Sequence, residues 1–378
     1  MKSSPNQLRG AILVAVTNLV VALCVIPWAS AIAEVSTSGV MYLDYKLDLS
    51  SKDKAGDKLL TNDFSIGRVY VNLKSNISEK VSMRFTTDVY KGKDQSVIVD
   101  GKSFVAIDDK SFDVVDDKSF KVSPSKYYDA YTIRVKYAYV DFKKIIPHTK
   151  ITFGLQGTPW IGMVDKSWGY RFVSKSLFDQ YKVMSSADYG VGLTVSIPSG
   201  YGEGVVQVVN GNGYSKLETN KHKDIIARIL LTPLPEDKIL KSLSIAGLYY
   251  LGKDDDGNGK NRVCGHLGFK HDLINLSGEF GISTDGKDEI SGMGFAGAVE
   301  IKLDKIEPLK PLAIIGRLES WDKNTDKDDD ETMRVIGGIS CKEVKNVTGA
   351  VTFQNKSHFK GGEKVNDQLV VVQAEVKF

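Results

Sequence analysis

From residue 40 to its end the chain alternates, with segments of roughly ten residues carrying apolar side chains at every second position. Met41, Leu43, Tyr45, Leu47 and Leu49 share one face of the first segment, with Tyr42, Asp44, Lys46 and Asp48 on the other. In the third, Val81, Met83, Phe85 and Val89 oppose Ser82, Arg84, Thr86 and Asp88. Period two is the signature of a strand, because successive side chains leave opposite faces of the pleated backbone. Helical spacing is almost absent. The predicted strands fall at 40–49, 64–74, 80–90, 130–142, 150–157, 187–197, 204–211, 223–232, 242–251, 261–270, 275–284, 290–302, 311–321, 332–342, 347–356 and 367–378.

That makes about sixteen, an even number, as a single-chain bacterial barrel requires. Some connections are short and turn-like, at 75–78, 198–200, 270–272 and 342–344; others are long and charged, at 91–128, 158–186, 252–260 and 322–331. A soluble β-sandwich also alternates, but it does not predict this rhythm. The pattern predicts an all-β fold, a single antiparallel transmembrane β-barrel with short periplasmic turns and long outer loops. One apolar face would meet lipid and one polar face a lumen. Closure would satisfy every backbone group inside the hydrocarbon. Tyr137, Tyr139, Tyr249, Trp321, Phe353 and Phe378 are candidates for its interfacial aromatic girdles.

The two ends of the chain add a destination. Lys2 and Arg9 precede an apolar run from Ala11 to Trp28, followed by the small-x-small sites at 29–31 and 31–33. This reads as a signal peptide over 1–33, cut after Ala33 or alternatively after Ala31, leaving 34–378 as the barrel. A retained membrane anchor is the competing reading of the same run. At the other end Val372, Ala374, Val376 and Phe378 share a face, and a last strand closing on an aromatic residue marks bacterial outer-membrane proteins for assembly. The expected location is the outer membrane of a Gram-negative-type bacterium, with membrane lipid and lipopolysaccharide as surroundings.

Charge narrows the function. Beyond the leader, 48 basic residues face 47 acidic ones, a balance that argues against a nucleic-acid partner. Two cysteines follow the leader, Cys264 on a lumen face and Cys341 on a lipid face four strands away, so both are expected as free thiols. The five histidines, at 148, 222, 266, 271 and 358, show neither metal spacing nor a nucleophile pattern, and no enzyme is expected.

Arginine placement is more informative. Of eight arginines beyond the leader, seven lie in predicted strands: Arg68, Arg84, Arg134, Arg228, Arg262, Arg317 and Arg334. Alternation puts all seven, and Lys136, on the polar face, since a guanidinium in lipid costs about 2–4 kcal/mol at the midplane. Two arrangements fit. The basic groups can line an anion path, or they can pair with lumen carboxylates such as Asp44, Asp88, Asp141, Glu279, Glu300 and Glu319.

Among the loops, 100–123 holds a threefold octad built on Asp-Lys-Ser-Phe, read as a variable outer loop, an exposed β-ribbon or a contact surface. Asp254-x-Asp256-x-Asn258-Gly259 copies the first half of a calcium loop, but Gly265 stands where a bidentate Glu belongs. The acidic run from Asp322 to Asp330 is similar in character. No cofactor is expected beyond weak Ca²⁺ binding in these acidic outer loops; solvated carboxylates are the competing reading.

Four stretches, in order, carry a resemblance. They are Phe64 to Asp88 (with R-V-Y-V-N-L and F-T-T-D), Phe153 to Trp160 (F-G-L-Q-G-T-P-W), Val208 to Tyr214 (V-V-N-G-N-G-Y) and Gly316 to Asp322 (G-R-L-E-S-W-D). Here the chain resembles the phosphate-selective porin O and P group and its porin-like relatives. The resemblance implies a sixteen-stranded, trimeric diffusion channel; no dense run of loop lysines and arginines carries over a phosphate site. It also makes 158–186, after the fifth strand, the candidate constriction loop, with Trp160, Asp165, Trp168, Tyr170, Arg171 and Asp179 as its chemistry. An outer loop touching a neighbouring subunit is the alternative. The function expected is passive diffusion of ions and small hydrophilic solutes with a weak anion preference. The competing class is an adhesive surface barrel with an occluded lumen and partner-binding loops.

Overall fold

Strands that are greasy on one face and polar on the other have two demands to meet: the greasy face must leave water, and no ladder edge can be left unpaired in lipid. The protein, seen here in a computed structural model describing residues 34–51, 59–91, 97–99, 102–108, 111–114, 131–360 and 362–378, meets both by closing on itself. Its strands are β1 (Val35–Asp48), β2 (Thr61–Asn76), β3 (Val81–Lys91), β4 (Val97–Val99), β5 (Lys102–Asp108), β6 (Ser111–Val114), β7 (Tyr131–Lys143), β8 (Thr149–Gly157), β9 (Ala187–Ile197) and β10 (Gly202–Val209). They continue with β11 (Asp224–Leu231), β12 (Ser244–Lys253), β13 (Gly259–Lys270), β14 (Ile274–Asp285), β15 (Ile290–Lys302), β16 (Leu312–Asp322), β17 (Thr332–Cys341), β18 (Val347–Lys360) and β19 (Glu363–Lys377).

Sixteen of these form one closed antiparallel barrel in which each strand pairs with its sequence neighbours, and β1 pairs with β19. All sixteen predicted strands are present, most within a few residues of the expected ends. β4, β5 and β6 form a separate three-stranded sheet between β3 and β7. The octad repeat at 100–123 thus lies in part in β5 and β6 and in part outside the described residues, as does the whole 1–33 leader.

Closure is completed by the last residue. The Gly39 and Phe378 backbones exchange two hydrogen bonds, of 2.6 and 3.1 Å, and the Phe378 ring covers Gly39 so closely that a Cβ there would strike it. Both described ends therefore lie on one rim, with the short turns after β2, β7, β9, β13 and β17. The opposite rim carries the long connections 92–130, 158–186, 210–223 and 323–331. The rhythm is looser than predicted: the long-loop rim also holds tight turns at 286–289 and 361–362, and the other rim an extended connection at 232–243.

The two faces separate cleanly. Leu193, Ile229, Leu267, Phe295, Ile314 and Val351 point outward and are exposed for want of lipid, whereas Asp88, Arg228, Arg262, Glu279, Arg317 and Glu319 point inward and are buried. Cys264 is buried on the inner side, Cys341 is half-buried among outward residues, and both are free.

Within the barrel, alternation fails at two places, each an extra residue in one strand of a pair. The β1–β2 register shifts at Tyr42/Leu43, where Gly67 has no partner. The β3–β7 register shifts at Thr86/Thr87, where Thr86 pairs with Tyr137 and Thr87 with Val135, leaving Lys136 unpaired. Such a bulge lets two consecutive side chains share a face. Lys136 and Tyr137 both point into the lumen, so Tyr137 and Tyr139 are not girdle residues: their rings meet edge-on inside, and the Arg84 guanidinium lies 4.6 Å from the Tyr137 ring. Trp321 is also internal, 5% exposed. Tyr249, Phe353 and Phe378 do face outward.

Leu193, near the middle of β9 and outward-facing, tests the orientation. Leu193→Arg is expected to destabilise the barrel by about 2–4 kcal/mol, read from denaturant unfolding in lipid vesicles. The inward neighbour Thr194→Arg should cost far less, and equal costs would contradict the assignment of faces.

Candidate channel constriction

The connection 158–186 leaves β8 at the long-loop rim and turns into the barrel. It forms two helices, α1 (Ile161–Trp168) and α2 (Leu177–Gln180), with α1 ended by Gly169 at φ 82°. Apolar side chains on a loop inside a polar barrel need apolar company, and the wall supplies it. Trp160, Ile161, Val164, Leu177 and Phe178 are fully buried against Ile226, Ala246, Leu248, Cys264, Ala296 and Trp321. Trp168, Tyr170 and Phe172 form a second cluster with Ala298, Ile315, Ile336 and Ala350. The inward Trp321 is explained by this packing: its ring stacks on Tyr181 and meets Phe178 edge-on.

Polar side chains from β13 to β19 pin the same loop. Glu279 accepts from Trp160 Nε1 at 3.1 Å and from the Leu177 backbone at 3.0 Å. Tyr170 donates to Glu300 at 2.6 Å, and Glu300 also takes Lys342 at 2.7 Å. Arg262 reaches the Val183 carbonyl, Arg334 the Ser174 hydroxyl and Gln373 the Phe172 carbonyl. Within the loop Arg171 bridges Asp165 and, at 2.9 Å, Asp179. Burial works against the Arg171 charge, but Asp165 and Asp179 more than offset it and hold its pKa well above the ordinary arginine value. Asp179 is kept below the usual carboxylate range, since Arg171 outweighs its burial.

The six loop residues singled out in the sequence therefore divide. Trp160, Trp168 and Tyr170 are turned into the wall and fix the loop; Asp165 and Arg171 form its internal ion cluster. Asp179 lines a cavity of about 520 Å³ on the long-loop side, with Arg68, Arg134, Lys175, Tyr214 and Lys260. A second cavity, of about 260 Å³, lies toward the short-turn side and is lined by Arg84, Tyr139, Lys150, Gln156, Glu203 and Arg228. Lys136 sits between them along β7 and is 3% exposed.

The seven strand arginines and Lys136 all face inward, but their partners differ by wall. Where the loop packs, charges are matched: Arg262 with Asp285 at 2.8 Å, Arg317 with Glu319 at 2.8 Å, and Arg334 with Glu319 at 3.5 Å. Arg228 is paired with Glu203. On the wall of β2, β3 and β7 the balance is broken. Arg68 and Arg134 share the fully buried Asp88, at 2.7 and 3.0 Å. Arg84 donates, among the described residues, to Asn72 and Thr86 oxygens, and Lys136 to the Ser186 hydroxyl. Among the described residues, Asp88 is the one carboxylate within ion-pair distance of these four cations. Sequence pattern placed the cations on the inner face; it could not say which would lack a carboxylate.

Sequence reading passed over Tyr214, Lys260 and Asp188, which reach the lumen from the long-loop rim. The Asn-Gly-Asn-Gly run before Tyr214 was the available signal of a tight turn. The connection carrying Asp254 and Asp256 is short, since β13 begins at Gly259, and the Asp254 carboxylate accepts from the Asn258 side chain and the Asp256 backbone. Among the described residues no three His, Cys, Asp or Glu side chains converge on a metal position.

No known family model matches the sequence, and no curated protein matches it. In three dimensions the chain is similar to solved outer-membrane channels. Over 91% of its length it superposes on 94% of OprB from Pseudomonas putida, with a TM-score of 0.62 and 11% identity. The outer-membrane channel DcaP of Acinetobacter baumannii gives 0.59 at 12% identity, covering 93% of this chain and 99% of that one. An anion-selective porin from Comamonas acidovorans gives 0.58 at 10% identity, covering 92% and 100%. At such identities the likeness is one of architecture: the chain has the fold of the outer-membrane porins.

Glu279 is the deepest pin of the loop. Glu279→Leu leaves the Trp160 and Leu177 N–H groups without acceptors, at about 1–3 kcal/mol each. Hydrogen exchange at residues 160–180 should accelerate while the barrel strands stay protected. Unchanged exchange would mean the apolar packing holds the loop unaided.

Proposed function

We propose that the protein is an outer-membrane porin of a Gram-negative-type bacterium, a passive channel for ions and small hydrophilic solutes with a preference for anions. The observation that carries this reading is the asymmetric lumen. One half of the wall is packed by the loop and neutralised by carboxylates, and the other carries Arg68, Arg84, Arg134 and the buried Lys136 with Asp88 as the one described carboxylate in ion-pair range. Charges of one sign along a narrow water-filled path raise the local concentration of the opposite ion. Loop 158–186 narrows that path by occupying the side of β11 to β19, and its own Lys175 and Asp179 face the remaining space.

Kinship with the phosphate-selective porin O and P group is supported by the four ordered sequence stretches, and a homotrimer follows from that kinship; three copies per particle by light scattering in mild detergent would test it. Lipopolysaccharide would surround the long-loop rim. Weak Ca²⁺ binding at the surface would fall to the acidic outer loops, 254–259 and 322–330, for which titration calorimetry is the measure.

The decisive measurement is single-channel conductance of the folded barrel in a planar bilayer, with the reversal potential in a KCl gradient. Stable steps with chloride more permeant than potassium are expected. Arg84→Gln, which removes a cation without orphaning a carboxylate, should lower the chloride-to-potassium ratio by about twofold. Cation-selective steps would keep the channel and reject the basic wall. A folded barrel that passes no current would favour an adhesive barrel with an occluded lumen.

A further inference from the structure

We propose that Tyr214 is a specificity-determining residue of this channel: its ring caps Lys136 and Arg134 and limits how much of the basic wall a passing anion meets. The inference rests on the channel reading above and concerns a residue from a different loop than 158–186.

The local chain is built to bring Tyr214 inward. After β10 the turn Asn210-Gly211-Asn212-Gly213 uses glycine at φ 105° and 78°, a region closed to most side chains. The Asp188 carboxylate on β9 accepts from the Gly211 and Gly213 backbones at 2.9 and 3.2 Å, and Lys260 donates to the Gly211 carbonyl at 2.8 Å. The Tyr214 backbone N–H then bonds to the Ala187 carbonyl at 3.1 Å. Asp188 is thus a positioning residue, clamping the turn over the lumen.

The ring is set against two cations at once. It lies 3.9 Å from Lys136 Nζ and 4.4 Å from the Arg134 guanidinium, which is covered on its other side by Tyr90 at 4.0 Å. Arg134 donates to the Tyr214 hydroxyl at 2.6 Å, and that hydroxyl is 3.4 Å from Asp88. An aromatic face attracts a cation through its quadrupole, without adding a counter-charge. Lys136 thus has the ring over its amine, no carboxylate within ion-pair distance among the described residues, and is only 3% exposed. The Tyr214 side chain also lines the 520 Å³ cavity and an adjoining one of about 510 Å³. It is the layer between the solute space and the ammonium group. A purely structural tyrosine would matter for folding but not for what the cations meet, and substitution separates the two roles.

The test labels amines in the folded barrel with sulfosuccinimidyl acetate and follows the Lys136 peptide by mass spectrometry, with folding checked by heat-modifiable migration. Removing a cation–π cap worth about 1–2 kcal/mol should expose Lys136 about tenfold more often, and so speed its labelling in Tyr214→Ala to that extent. Tyr214→Phe keeps the ring and should label like the parent. In KCl bilayers the alanine variant should raise the chloride-to-potassium ratio about twofold, and the phenylalanine variant should leave it unchanged. Equal Lys136 labelling in parent and alanine variant overturns the cap, whatever the conductance. Faster labelling with an unchanged ratio overturns the specificity role. Faster labelling in a folded barrel that never conducts retains the cap and refutes the channel reading instead. Should Tyr214→Ala not fold, Asp188→Ala, which frees the turn, must give the same acceleration for the proposal to stand.

Discussion

A backbone amide in hydrocarbon has no water to bond, and every other feature of this protein answers to that fact. The ladders must be continuous around the barrel, so the first strand has to meet the last, and it does so through residue 378. An even number of antiparallel strands puts both ends on one rim, which leaves the longer connections to gather on the other. The connection after β8 belongs to that rim, and its apolar residues have nowhere dry to go except inward.

The lumen that results is two environments. Along β11 to β19 it resembles the core of a water-soluble protein, with tryptophans, leucines and two phenylalanines packed between wall and loop. Charges there are buried, and a buried charge without a partner is costly, so Glu279, Glu300 and Glu319 each hold several donors. Along β2, β3 and β7 no loop helix covers the wall, and water can screen an excess of one sign. The cations that lack carboxylates sit where their solvation cost is least, apart from Lys136, which is sheltered by aromatic rings.

Much of this was legible in the sequence because period two depends only on nearest neighbours. Leu193 and Thr194 declare opposite faces whatever surrounds them, and the strand positions followed. Arg84 and Arg317 were likewise assigned to the interior by alternation alone. Their difference, one bound to amide and hydroxyl oxygens and the other to Glu319, depends on what the neighbouring strand and the same strand's next inward position supply, which period-two alternation does not report. Trp321 was misread because an aromatic on a barrel strand suggests an interface, whereas here the 158–186 loop offers it a dry pocket. Tyr137 and Tyr139 were misread because alternation was carried unbroken through Lys136. The sequence around Tyr214 announced a turn, but not that the turn would fold over the lumen; that depends on Asp188, more than twenty residues upstream.

The unpaired Lys136 divides β7 into halves of opposite parity. Before it, Thr132 and Arg134 face inward on even positions; after it, Tyr137, Tyr139 and Asp141 do so on odd ones. Excising Lys136 would restore one unbroken alternation, with Arg134 inward, Val135 outward and Tyr137 inward, and would keep the register with β3. The bulge therefore behaves as a one-residue insertion that the barrel absorbs without turning either half of the strand over. What it adds is a single ammonium group on the lumen side, between neighbours whose faces it leaves unchanged.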